Sequence, residues 1–194
     1  GVAGTLLAFA LFLCTGMIYA CLRFLREWHS PLTVINYVLL GGASGFTLAA
    51  ALAALSAPSL VAFVSGWAII LTMLAAIGRG ATLWRNSRLK ARSTLQSAIG
   101  IKHPVVVQKS QGFMGGSFNT REFFHGASAR RLRLVRPAFL LLAFAVPVLL
   151  LATGRDGSSA LLAFVVQFTG LLLERWHFFA QARHPQNLYY QAIS

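Results

Sequence analysis

Acidic residues are almost missing from this chain of 194 residues: four Asp and Glu stand against 17 Lys and Arg, for a formal net charge of +13. Charge of either sign is scarce, at 11%, where soluble domains carry about 25%. Together with a mean hydropathy of +0.67, that scarcity excludes a disordered chain, a coiled coil and an ordinary water-soluble enzyme domain. Cysteine is nearly absent. Cys14 and Cys21 are seven residues apart, about 10 Å along one helix face, which is too far for a disulfide. There is no C-x-x-C, so no iron–sulfur or zinc motif is written here. Asp156 is the single Asp, and neither a Ser-His-Asp arrangement nor an H-E-x-x-H motif occurs. The opening segment has no charged n-region and no A-x-A-like cleavage pattern, so it does not read as a signal peptide. A portion of a longer chain is expected.

What the sequence has in abundance is apolar length, with hydrophobic residues at 57%. Five segments are long enough to cross a bilayer, which takes about 20 mainly apolar residues, with a range of about 17–25. They are 2–22, 34–56, 58–78, 137–153 and 159–180. Helices are expected, because lipid offers no partners for open backbone groups. Pro147 predicts a kink in the fourth. The fold class is therefore an all-α membrane protein with five transmembrane helices.

Five antiparallel crossings place the first loop, the polar segment 79–136 and the tail on one side. That side holds 16 of the 17 basic residues; the other holds only Arg155. The bias predicts that the long basic segment and the C-terminus are cytoplasmic. Topology thus accounts for the charge, and no nucleic-acid partner is expected. Within 79–136, the stretch Trp84–Ile99 reads as a surface helix with a basic face. Val105–Val107 reads as a short β-rich run, and Asn119–His125 as a capped helix start. Arg85, Arg88, Arg121, Arg131 and Arg133 are candidates for docking a partner. The bland alternative is a solvated linker drawn to anionic lipid.

Three features inside or beside the spans stand out. Gly41 and Gly45 form a G-x-x-x-G, which lets helices pack closely. In the fifth span, Gln167, Gly170, Glu174, His177 and Gln181 follow i, i+3, i+7, i+10, i+14, covering about 80° of the helix surface. Ionisable groups at such depth face a bundle interior. The stripe reads either as a proton path or quinone-headgroup site, or as a structural Glu174 paired with Arg175, Arg23 or Arg183. At the end of the first span, Tyr19, Arg23, Trp28 and His29 read either as interface anchors or as groups that hydrogen-bond a quinol ring. Such a site needs an apolar slot, donors for two ring oxygens and a base that titrates near neutral pH. A haem needs histidines inside the bundle. His103, His125 and His184 lie in loop or tail, and only His29 with His177, both near one interface, form a conceivable pair.

Two stretches carry a resemblance. The first runs from Cys14-Thr15-Gly16-Met17-Ile18-Tyr19-Ala20 into Arg26-Glu27-Trp28-His29-Ser30-Pro31-Leu32, with Asn36-Tyr37 and Leu39-Leu40-Gly41 following. The second is Glu174-Arg175-Trp176-His177-Phe178-Phe179-Ala180-Gln181-Ala182-Arg183-His184 with Leu188-Tyr189-Tyr190. This chain resembles the membrane anchor subunits of dimethyl sulfoxide reductase-type molybdoenzymes and, more distantly, the NrfD-like polysulfide reductase membrane subunits. The likeness is close at both ends and loose over 93–118. It implies a bundle of about eight helices, of which five are here, in a bacterial inner membrane. It also implies partnership with an iron–sulfur subunit carrying [4Fe-4S] clusters and a molybdopterin catalytic subunit. Electrons would be exchanged with menaquinol or ubiquinol, with no haem or metal in the anchor itself. On that basis the quinol candidates are Tyr19, Arg23, Trp28, His29, Glu174 and His177. The competing expectation is a structural anchor or assembly scaffold without a quinone site. A transporter is disfavoured, since there is no internal repeat and no pair of broken helices.

Overall fold

The computed structural model describes residues 1–90, 94–106, 129–154 and 157–183, without the side chains of 95, 98, 129, 131 and 132. All regular structure among them is helical. The elements are α1 (Val2–Ala20), α2 (Pro31–Ser56), a 3-10 turn (Pro58–Leu60), α3 (Val61–Ser87), α4 (Leu95–Ile99), α5 (Ala129–Leu140), a π segment (Leu141–Ala145), α6 (Val146–Thr153) and α7 (Gly157–Ala180). Five helical stretches are long and apolar enough to cross a membrane: Val2–Ala20, Pro31–Ser56, Pro58–Ser87, Arg133–Thr153 and Gly157–Ala180.

Helix limits follow local chemistry more closely than hydropathy. The second helix starts at Pro31 rather than at Val34, because the Ser30 side chain accepts a hydrogen bond from the Leu32 amide and proline suits the first turn. The third does not stop at Gly78 but runs on to Ser87. Arg79 therefore sits inside the bundle and not in a loop. The surface helix expected over Trp84–Ile99 is broken: α3 ends at Ser87, and only the short α4 lies beyond. No strand occurs at Val105, and the expected helix start at Asn119–His125 lies outside the described residues.

α2 packs against α1, α3 and α7, and α7 packs in turn against α5, the π segment and α6. The interior uses small side chains. Ala43, Ala50, Ala68, Ala75, Ala143, Ala160 and Ala163 are buried, while Leu6, Leu55, Phe63, Leu149 and Leu172 are exposed. This is the pattern of a bundle in lipid, where association depends on close backbone approach rather than on hiding large apolar groups. Buried hydroxyls bond back to their own helix, Thr47 to the Ala43 carbonyl and Thr72 to the Ala68 carbonyl.

The G-x-x-x-G is not where backbones meet. Gly45 has open space around it, and Gly41 leaves room for the Phe12 ring of α1. The close approaches are at Gly16, where a Cβ would lie 2.9 Å from Val34 Cα, and at Gly170, where it would strike the Ala143 amide nitrogen. The Gly170 contact meets the irregular part of the fourth span. Pro147 has no amide to offer the carbonyl four residues back, that of Ala143. The helix widens into the π segment just before it, and Gln167 Nε2 of α7 donates to the Ala143 carbonyl at 3.4 Å. A neighbouring helix thus satisfies the freed backbone group.

Backbone cannot move aside as a flexible side chain can. Gly170→Ala is expected to lower stability by about 1–3 kcal/mol through overpacking, and Gly45→Ala to be neutral or slightly stabilising. Thermal unfolding in detergent, followed by circular dichroism, compares the two. Equal melting points would show that the Gly170 contact does not set the packing.

Candidate functional site

Three chain segments meet at one end of the bundle. The α1–α2 connection is tied to the end of α3: Arg85 Nη2 donates to the Arg26 and His29 carbonyls at 3.1 Å each, and Asn86 donates to the Glu27 carbonyl. Arg26 Nη1 reaches the Lys90 carbonyl at 3.2 Å. Trp28 Nε1 donates to the Phe178 carbonyl of α7 at 2.9 Å. The C-terminal ends of α3 and α7 and the basic first loop therefore share one face of the molecule.

Just inside that end lies a charge cluster. Arg79 Nε stands 2.7 Å from Glu174 Oε1, with the two side chains 1% and 0% exposed. Arg175 Nε stands 2.6 Å from Glu174 Oε2. His177 continues the cluster, its Nδ1 3.4 Å from Arg79 Nη2 and its Nε2 3.4 Å from Arg136 Nε. One turn or more deeper, Gln167 Nε2 donates to Thr72 Oγ1 at 3.1 Å. These contacts join two stripes in register. Thr72, Arg79 and Thr82 of α3 are spaced as Gln167, Glu174 and His177 are in α7, and all six are buried.

An aromatic cluster stands beside the charges. Tyr19 stacks on Tyr37 at 5.8 Å between centroids and meets Trp28 edge-on at 5.3 Å. Trp28 stacks on Phe178 at 5.2 Å. Arg175 joins the two clusters: bound to Glu174, its guanidinium lies 4.4 Å from the Tyr37 centroid and 4.7 Å from that of Phe178. Next to Tyr37 and Arg175 is a cavity of about 320 Å³ between α1, α2 and α7.

The six quinol candidates are therefore divided. Tyr19 and Trp28 belong to the aromatic cluster, Glu174 and His177 to the charge cluster. Arg23 and His29 are exposed at the rim, and His29 Nδ1 is engaged by the Ala20 carbonyl at 2.5 Å. Among the docking candidates, Arg85 is taken up in holding the first loop. Arg88 is exposed and lies over the Trp84 ring at 4.0 Å, and Arg133 is exposed. Arg131 lies in α5 with its side chain undescribed, and Arg121 lies outside the described residues. Sequence reasoning missed Arg79, Tyr37 and the cavity. The matched spacing of the α3 and α7 stripes is the signal that marks Arg79.

Glu174 is the anion that makes two inward arginines tolerable. Glu174→Gln leaves Arg79 buried without a counter-charge and is expected to cost about 3–5 kcal/mol. The double variant Arg79→Met with Glu174→Gln is expected to be less destabilised than the sum of the single changes. A double-mutant cycle by thermal unfolding in detergent measures this; strict additivity would remove the pair as a stabilising unit.

Comparison with known proteins brings out one close likeness. Over 197 aligned positions the chain is 58% identical to a sulfite dehydrogenase subunit of Allochromatium vinosum. The match takes in 100% of this chain and 61% of that relative, so the chain spans about three-fifths of the relative's length. No family model matches the chain, and no solved structure matches it.

Proposed function

We propose that this chain belongs to the membrane subunit of a sulfite-oxidising redox complex and that it delivers the electrons to a quinone. The likeness to a sulfite dehydrogenase subunit over the whole chain supports the complex, and the five apolar helices support its place in the membrane. The observation that carries the redox reading is the Arg79–Glu174–Arg175 cluster. Ionisable groups inside a membrane bundle are expensive and mark functional paths.

The direction of flow follows from the chemistry of the substrate. Oxidation of sulfite with water gives sulfate, two protons and two electrons. A quinone that accepts two electrons and two protons becomes a quinol. The membrane subunit is then the exit for electrons, with menaquinone or ubiquinone as acceptor. This reverses the quinol oxidation implied by the resemblance to dimethyl sulfoxide reductase-type anchors. The catalytic partner would hold molybdopterin and the connecting partner [4Fe-4S] clusters. Both would dock at the basic end, for which the charge bias favours the cytoplasmic side of a bacterial inner membrane.

A second reading has its own observation. Both carboxylate oxygens of Glu174 are engaged by arginines, as a purely structural anchor would have them. The native complex, purified in mild detergent, decides. The redox reading expects stoichiometric molybdenum, abundant iron and sulfite-dependent quinone reduction. Removing this subunit should abolish that activity and leave sulfite-dependent ferricyanide reduction intact. Quinone reduction that persists without the subunit would leave the anchor reading.

A further inference from the structure

The cavity beside Arg175 has the form of a site for an amphiphile with a polar ring and an apolar tail. It lies between three helices, its walls including Phe12 and Thr15 of α1, Tyr37, Gly41 and Ser44 of α2, and Arg175 of α7. Its volume of about 320 Å³ falls at the small end of ligand pockets, roughly 300–1,000 Å³. The lining is graded. Tyr37 and Arg175 supply polar groups at one end, and Leu11, Phe12 and Leu40 supply apolar surface toward the middle of the helices.

Arg175 is the unusual member. Its Nε is committed to Glu174, but its Nη1 is buried with no hydrogen-bond partner among the described residues. A buried guanidinium donor without an acceptor is costly. The charges also do not balance. Arg79 and Arg175 share one carboxylate, which leaves a net positive charge next to the cavity. Both facts call for an acceptor oxygen, preferably one on which negative charge can build.

Depth selects the class of occupant. Tyr37 is six residues into α2 and Arg175 five residues from the end of α7, about 8–9 Å inside the helix ends at 1.5 Å per residue. A phospholipid phosphate belongs at the interface and would lose its hydration at this depth. A neutral ring with carbonyl oxygens would not. Ser44 lies seven residues beyond Tyr37, about 10 Å further along α2, where an isoprenoid tail would run. Gly41 keeps this stretch open: it has no side chain to fill the groove, and a Cβ there would meet the Phe12 ring.

We infer that the α1–α2–α7 groove binds an isoprenoid quinone, with Arg175 donating from Nη1 to a ring carbonyl, Tyr37 flanking the ring and Ser44 and Thr15 bordering the tail. The inference rests on the quinone-reducing reading above and assigns its binding site. On reduction, the ring takes two electrons from the partner's redox centre and two protons from water at the basic end, and leaves as quinol along the same lipid-facing groove.

The test uses the whole complex, with sulfite as donor and two quinone analogues, one with a long isoprenoid tail and one short-tailed. Ser44→Phe obstructs the tail path without touching the charges. It is expected to raise KM for the long-tailed quinone at least tenfold, with little change for the short-tailed one or for ferricyanide. Thr15→Phe, from the opposite wall, should do the same if Ser44→Phe impairs assembly. A photoreactive azidoquinone should label peptides of α2 or α7, and unlabelled quinone should compete. Unchanged KM in both variants, or label that maps elsewhere or yields only to phospholipid, overturns the site while quinone reduction stands. A wild-type complex that reduces ferricyanide but neither quinone overturns the site and the underlying reading together.

Discussion

One carboxylate organises the inner half of this bundle. Glu174 lies between Arg79 of α3 and Arg175 of its own helix, at 2.7 and 2.6 Å. Neither arginine could remain so placed in apolar surroundings without it. The pair across α3 and α7 also sets register. With Arg79 opposite Glu174, Thr72 comes opposite Gln167, and Gln167 reaches both Thr72 and the Ala143 carbonyl. The polar contacts of the irregular fourth span are therefore linked to the charged contact two turns away in α7.

The same register accounts for the tight packing at Gly170, which lies between Gln167 and Glu174 on the buried face. Any side chain there would strike the backbone at Ala143. Pro147, the π segment, Gln167 and Gly170 form one arrangement: the proline frees a carbonyl, the widened turn presents it, the glutamine satisfies it and the glycine lets the helices come close enough.

Much of this was legible in sequence, and the exceptions have physical causes. Five helices followed from apolar length, and the α7 stripe from its spacing, since a polar face inside an apolar helix has to look inward. Arg79 escaped because hydropathy ends a span at the first charge, while the chain ends it where the backbone can stop, at Ser87. Gly41 and Gly45 looked like a packing motif because the motif names residue types and not the facing helix. Gly16 and Gly170, which face Val34 and Ala143, are unremarkable until the partner is known. Tyr37 carried no signal of its own, because its role comes from an arginine 138 positions away in sequence.

The end of the bundle where these charges sit is also the end where the first loop is held by arginine side chains bonded to backbone carbonyls. Those bonds spend cations on architecture: Arg26 and Arg85 fix the loop and so fix Trp28 over Phe178. Trp28 and Phe178 in turn back Tyr19 and Tyr37, and Arg175 lies across Tyr37 and Phe178. A partner that docks on the basic face therefore touches the outer end of a continuous packed chain. That chain leads from loop to aromatic cluster, to Arg175 and to the groove. Contact at the surface and geometry at the buried guanidinium are mechanically joined, which is what an electron exit inside a membrane requires of the subunit that provides it.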